Sequence, residues 1–391
     1  MLEPSGDSVS YHADVPADPI YLDHHATTPC DARVVEAMLP FFTEIFGNAA
    51  SITNAHGRRA SLAVEDARIA IARFLGVLPP EIYFTAGATE SNNIALNLVR
   101  EGEHLVTSVT EHKSIVVPAE RLAKRGGEVT FLEPDREGRI TPDAVRDALR
   151  PNTRMVSLEW ANGEIGTIQA IPEIAQLCRE RGILVHSDAT QAVGKIPLSF
   201  ATVDLASFSA HKLYGPKGIG GLYVKRGVRV EPVVVGGGQE KNVRSGTVNV
   251  PGAIGLAAAI RFRAEEMPDE ALRLAQIRDE LAEGLLAEID GVSINGPREL
   301  RLPSNLNVSF DRIDAESLIL AMKRFSLSSG SACSSGERGP SRVLKAIGLG
   351  DDAAMGSIRF GLGKSNTREH ASMLIEDLKR AVRRLREISA A

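Results

Sequence analysis

Cysteine is scarce in this chain of 391 residues: only Cys30, Cys178 and Cys333 occur, with no CxxC pair. That excludes a disulfide framework and a cysteine-rich metal centre, and a reducing compartment is the simpler setting. Long apolar runs are absent too, none approaching the roughly eighteen residues of a membrane span. The first twenty residues hold neither a basic region nor an apolar stretch, so a cytoplasmic location is expected. Positive charge is not in excess: 45 Lys and Arg against 50 Asp and Glu give a formal net charge of -5. Nothing in that balance favours nucleic acid or an anionic membrane as a partner.

What is present reads as an ordinary globular α/β protein. From about 80 to 227 the runs EIYFT, HLVTSV, EVTFL, RMVSLEW, ILVHSD, LASFSA and GLYVK alternate with helical patterns, which predicts a largely parallel sheet with crossover helices. Residues 1–20 are polar and predict a flexible lead-in, 21–264 a large domain, and 265–391 a smaller α+β domain with strands near SNLNVSF and SIRFGL. In the last helix Leu374, Leu378, Ala381, Val382 and Leu385 form one inward apolar face.

Several segments carry chemistry. EIYFTAGATESNN runs from a strand through a Gly turn into a helix expected to start near Glu90 or Ser91; such a turn either caps the helix or binds an anion, with Thr89 as a hydroxyl donor. Thr110-Glu111-His112 ends the next strand and brings an imidazole to the carboxyl edge of the sheet. Asp188 ends the very apolar strand of ILVHSDATQAVGK, as a helix cap or as the partner of a cationic ring nitrogen. SFSAHKLYGPKG places Ser209, His211 and Lys212 at another strand end, where a lysine can form a Schiff base or sit in an exposed loop. Cys178, in the amphipathic IPEIAQLCRER, reads as a buried structural thiol and Cys30 as inert. Cys333 differs, because SLSSGSACSSGERGP offers little core to bury it. A phosphate turn, an aspartate for a pyridinium and a lysine, at successive strand ends, are the parts pyridoxal phosphate requires.

Those motifs, with TEH at 110–112, ANGEIG at 161–166, HSDATQAVGK at 186–195, RSGT at 244–247, SSGSACSSG at 328–336 and SIRFGLG at 357–363, resemble the cysteine desulfurases. These are class V members of the fold-type I pyridoxal-phosphate enzymes. The resemblance runs from YLDHHATTP to about Ile388 and implies a mainly parallel seven-stranded sheet with a smaller α+β domain. It implies that Lys212 holds pyridoxal 5'-phosphate as a Schiff base, Asp188 pairs with the ring nitrogen, Gln191 bonds the phenolic oxygen and His112 stacks on the ring. Thr89, the backbone of Ala88, Ser209 and His211 would hold the phosphate, joined by Thr247 from the second subunit of a homodimer. Arg359 with Asn162 would bind the carboxylate of L-cysteine, and Asn162 would also touch the cofactor. Gly163 and Ala210 depart from the common asparagine and glycine without removing a functional group.

The implied reaction converts L-cysteine to L-alanine, with the sulfur captured as a persulfide on Cys333 in a loop at about 326–341. It then passes to an acceptor protein, for iron–sulfur cluster assembly or another thiolation pathway. His112 is the expected base for the Cys333 thiol, which is mostly protonated at neutral pH unless perturbed. The chain stops soon after RRLREISAA, short of the tail with which many relatives dock an iron–sulfur scaffold, so the resemblance leaves that partnership open. A selenocysteine lyase, a small-molecule aminotransferase and a non-catalytic scaffold are the alternatives; Cys333 argues against the aminotransferase and the intact set of site residues against the scaffold.

Overall fold

The computed structural model describes residues 19–329 and 339–390. A short strand β1 (Ile20–Tyr21) is followed by β2 (Ile82–Thr85), β3 (His104–Ser108), β4 (Glu128–Leu132), β5 (Thr153–Ser157), β6 (Leu184–Asp188), β7 (Leu205–Ser209) and β8 (Gly220–Val224). The seven after β1 form one sheet in the order β2-β8-β7-β6-β5-β3-β4. Only β8 runs against its neighbours, pairing antiparallel with both β2 and β7. Each of the seven expected runs is therefore a strand. Helices cover both faces, so β7 and β8 are buried at every residue, which explains their continuous apolar or small composition. Phe200, Phe208 and Tyr223 pack together in the core beneath them.

The second unit has β9 (Val292–Asn295), β10 (Asn305–Phe310), β11 (Phe325–Ser326) and β12 (Ser357–Gly361), with β10 central in an antiparallel β12-β10-β9 sheet. The final helix Arg368–Ala390 docks on it through Leu374, Leu378 and Val382. The lead-in expected over 1–20 ends earlier, because Ile20 already pairs with Phe325; residues 1–18 lie outside the described residues. The boundary at 265 falls inside one continuous helix, Val250–Glu288. Its Leu256 and Ile260 pack on the large core, and its Leu274, Ile277 and Leu281 on the small one. A single helix thus joins the two cores.

Because β8 is the sole reversed strand, β2, β3, β5, β6 and β7 all present their carboxyl ends to the same edge of the sheet. That edge is where α/β sheets bind ligands.

Candidate active site

A cleft of about 1560 Å³ opens along this edge, larger than the ~300–1,000 Å³ typical of small-molecule sites. Its lining includes Thr89, His112, Asp188, Gln191, Lys212 and Arg359. Ala88, Asn162, Ser209 and His211 also line it. Residues from distant motifs thus converge.

The turn after β2 is sharper than the sequence suggested. Gly87 has φ +154 and forms the N-cap, so the helix begins at Ala88 rather than near Glu90 or Ser91. No side chain caps it, which leaves the first helical N–H groups and the positive helix end facing the cleft. Close approach is needed here: a Cβ on Gly220 would lie 2.7 Å from the Gly87 Cα. Ser209 is nearby, and His211 is held by Thr27 Oγ1 at 3.1 Å. Burial pushes the His211 pKa down to about 4, so the ring is neutral. Thr247 is exposed and does not line the cleft.

Asp188 is buried at the end of β6, where its charge needs compensation. Asn92 Nδ2 donates to its Oδ2 at 2.7 Å, and the Thr190 N–H to its Oδ1 at 3.0 Å. Asn92 Nδ2 also donates to Ser114 Oγ at 2.8 Å, leaving the Ser114 hydroxyl to donate to His112 Nδ1 at 2.8 Å. The Ser114 N–H reaches the same nitrogen at 3.1 Å. His112 is therefore a helix N-cap whose Nδ1 lone pair is occupied. Desolvation holds its pKa below the ordinary value, and Lys212, Arg342 and Lys113 together oppose the raising effect of Asp188. The neutral ring then carries its proton on Nε2. In this geometry His112 presents a donor to the cleft; its expected role as base for Cys333 concerns a thiol outside the described residues.

Lys212 Nζ donates to the carbonyls of His25 and Ala26, each at 2.6 Å. Arg359 pairs with Asp23 at 2.7 Å and donates to Gly163 O at 3.2 Å. Asn162 is more committed than expected. Its Nδ2 donates to Glu159 Oε1 (2.8 Å) and Thr110 O (3.3 Å), while its Oδ1 accepts from the N–H groups of Glu164 and Ile165. The amide braces its own turn, and no donor is left over for a substrate carboxylate in this conformation. Next to it Glu111 and Glu159 are both buried, and the Glu159 N–H donates to Glu111 Oε1 at 2.6 Å. Burial raises the pKa of both, Glu159 to about 8.

Cys333 lies outside the described residues, but the flanks of its segment do not. Ser328 bridges to Arg359, whose N–H donates to Ser328 O at 2.8 Å. On the other side Gly339, Ser341 and Arg342 line the cleft, with Arg342 Nη2 donating to Glu111 O at 2.5 Å. Cys178 is fully buried and its thiol is pushed up to about 12 by desolvation. Burial also raises the Cys30 thiol.

Sequence reasoning did not single out Asn92, Ser114, His25 or Arg342. Asn92 and His25 stood in quoted motifs, GATESNN and YLDHHATTP, and a buried carboxylate at 188 implied that some donor must meet it.

Residues 20–374 match the family described as aminotransferase class-V. A cysteine desulfurase IscS of Anaeromyxobacter dehalogenans is 48% identical over 380 residues, 95% of this chain and 94% of that protein. The chain belongs to the cysteine desulfurase branch of the class-V aminotransferase family. Among solved structures, a NifS-like protein superposes with TM-score 0.86 at 36% identity, covering 93% of this chain and 99% of that one. A structure titled SspA in complex with cysteine gives TM-score 0.79 at 36% identity, covering 88% of this chain and 98% of that one. Family membership implies a pyridoxal-phosphate cofactor.

The residues present fit that group. It carries an anionic phosphate, a basic ring nitrogen, a phenolic oxygen and an aldehyde. The cleft supplies an uncapped helix start, a buried carboxylate held by Asn92, the Gln191 amide and a lysine. Asn92 Oδ1 and Thr190 Oγ1 are buried beside Asp188 without a hydrogen-bond partner among the described residues, which leaves polar capacity in this wall.

Proposed function

We propose that the cleft binds pyridoxal 5'-phosphate through Lys212 and uses it to convert L-cysteine to L-alanine, the sulfur passing to Cys333 as a persulfide and then to an acceptor protein. The observation that carries this reading is a convergence. Lys212, Asp188 and the uncapped helix start open on one cleft, and both flanks of the segment bearing Cys333 reach the same cleft. The neighbour solved with cysteine supports the choice of substrate.

When bound, the cofactor supplies an electron sink conjugated to the substrate α-carbon. Asp188 would pair with the ring nitrogen and hold its proton in place. Arg359, aligned by Asp23, takes the substrate carboxylate with the forked donor geometry of guanidinium. The Lys212 amine, once displaced by substrate, carries the α-proton. The Cys333 thiolate attacks the substrate sulfur: an S–S bond forms, the substrate C–S bond breaks, and its electron pair remains on carbon. Carbon gains a proton to give alanine, so sulfur moves and nitrogen stays. His112, with Nε2–H as its open end, would act as a donor toward the bound group. Ala88, Thr89, Ser209 and His211 receive the phosphate.

A homodimer completes the site in this reading. Thr247 points to solvent in its own subunit, as a residue serving a partner would, and Leu39, Phe42, Phe46 and Ile52 expose large apolar side chains.

The test is turnover of L-cysteine by the purified, cofactor-loaded chain. Alanine should form as cysteine is consumed, and Lys212→Ala should lose both the turnover and the borohydride-reducible cofactor linkage. Pyruvate in place of alanine would contradict the proposal, as would an unchanged linkage in the variant.

A further inference from the structure

Gln191 lies between groups that admit one sense of its amide. Its Nε2 donates to the backbone carbonyl of His25 at 3.0 Å, and its Oε1 accepts from Lys195 Nζ at 2.6 Å. A carbonyl oxygen cannot donate, so the nitrogen end must face His25 O. His25 Nδ1 stands 3.0 Å from Gln191 Oε1, an acceptor, and must therefore carry the ring proton. The other nitrogen, Nε2, stands 3.3 Å from Ser304 O and 3.4 Å from Ser304 Oγ, and Lys195 Nζ lies 3.5 Å from Nδ1. The shorter 3.0 Å contact to Gln191 Oε1 places the proton on Nδ1, so Nε2 accepts from the Ser304 hydroxyl. Two donors thus converge on Oε1. Nε2 keeps a second N–H with no acceptor among the described residues, on a side chain that lines the cleft. Gly163 makes room for it, since a Cβ there would come within 2.7 Å of Nε2.

Resting on the cofactor reading above, we infer that His25 and Lys195 are positioning residues that fix the Gln191 amide with an N–H turned to the cleft, where it meets the phenolic oxygen of the cofactor. An N–H stabilises negative charge on that oxygen, and the opposite end of the amide would repel it. The donor competes with the bond between the phenolate and the protonated lysine linkage. Losing it makes the linkage hold its proton more tightly.

The surroundings keep His25 from titrating near neutrality. Its ring is faced by Lys195 and Arg359, and burial followed by those cations pulls its pKa well below the ordinary value. Lys195 is itself faced by Lys212, Arg359, Arg263 and Glu270, with burial lowering its pKa most.

The test is a pH titration of the visible absorbance of the cofactor-loaded protein. Gln191→Leu should raise the midpoint by about one pH unit, a tenfold change in the proton equilibrium. His25→Phe should move it the same way by part of that amount, and should add nothing in the Gln191→Leu background. Lys195→Met, measured alone and with Gln191→Leu, reads the same amide from its other donor and serves where His25→Phe does not fold. An unmoved midpoint in His25→Phe or Lys195→Met, or a full further shift on top of Gln191→Leu, overturns the inference alone. A colourless unaltered protein overturns the cofactor reading and this inference with it.

Discussion

Along one stretch of the cleft wall, Asn92 donates to Asp188 and Ser114, and Ser114 donates to His112. Along the adjacent stretch, Glu111 and Glu159 bring two buried carboxyls together beside a half-buried Glu164, and desolvation raises the pKa of all three. Arg342 is the cation that lowers all three, yet its Nη2 donates to a backbone carbonyl, Glu111 O. The first wall gives its carboxylate two donors, Asn92 Nδ2 and the Thr190 N–H. On the second, the Glu159 N–H donates to Glu111 Oε1 and Asn162 Nδ2 to Glu159 Oε1, Glu111 Oε2 has no partner among the described residues, and desolvation is the largest cause of the raised pKa values. The two walls thus differ in what their carboxyl oxygens meet.

Substitutions on the two walls should separate these roles. The largest effect is expected at Asp188→Asn, which removes the charge that the first wall exists to hold. Turnover of cysteine should fall by about 10²–10⁴-fold while the fold persists, as measured by alanine formation and far-ultraviolet circular dichroism. Asn92→Ala should cost about tenfold, the loss of one hydrogen bond to a charged group. An Asn92→Ala defect as large as that of Asp188→Asn would mean that the two walls differ for another reason.

The smallest effect lies on the second wall and concerns stability. Glu159 has a folded pKa of about 8 against an ordinary value of 4.5, so the folded chain keeps a proton that the unfolded chain releases. That contribution is present in full below the ordinary value and lost as pH rises through about 8. Glu159→Gln should therefore raise the Tm in alkaline buffer by about 2–4 °C, with a smaller change in mildly acidic buffer. A lower Tm in alkaline buffer would show that Glu159 is a stabilised carboxylate.

The strands and the chemistry at their ends were legible because both are local. Seven β-rich runs became seven strands, and Asp188 and Lys212 each follow a strand directly. The turn after β2 was legible in position and off by two or three residues in helix start, because Gly87 turns at a dihedral that composition does not reveal. Less legible were contacts made across the chain. Asn92 reaches Asp188 over 96 residues, and His25 reaches Gln191 over 166. Asn162 was named correctly as a cleft residue, yet its amide is spent on its own turn, which only geometry shows. The boundary expected near 265 falls between Ile260 on the large core and Leu274 on the small one; what the sequence hid is that one continuous helix serves both cores.

The central claim is that sulfur leaves cysteine on this cofactor site and lands on Cys333. The most direct measurement supplies the loaded protein with L-cysteine carrying labelled sulfur and locates the label by peptide mass spectrometry. The account predicts label on the peptide containing Cys333, and none on the Cys333→Ala variant although its visible spectrum still shifts when cysteine is added. Label on Cys30 or Cys178, or full persulfide on Cys333→Ala, would contradict it.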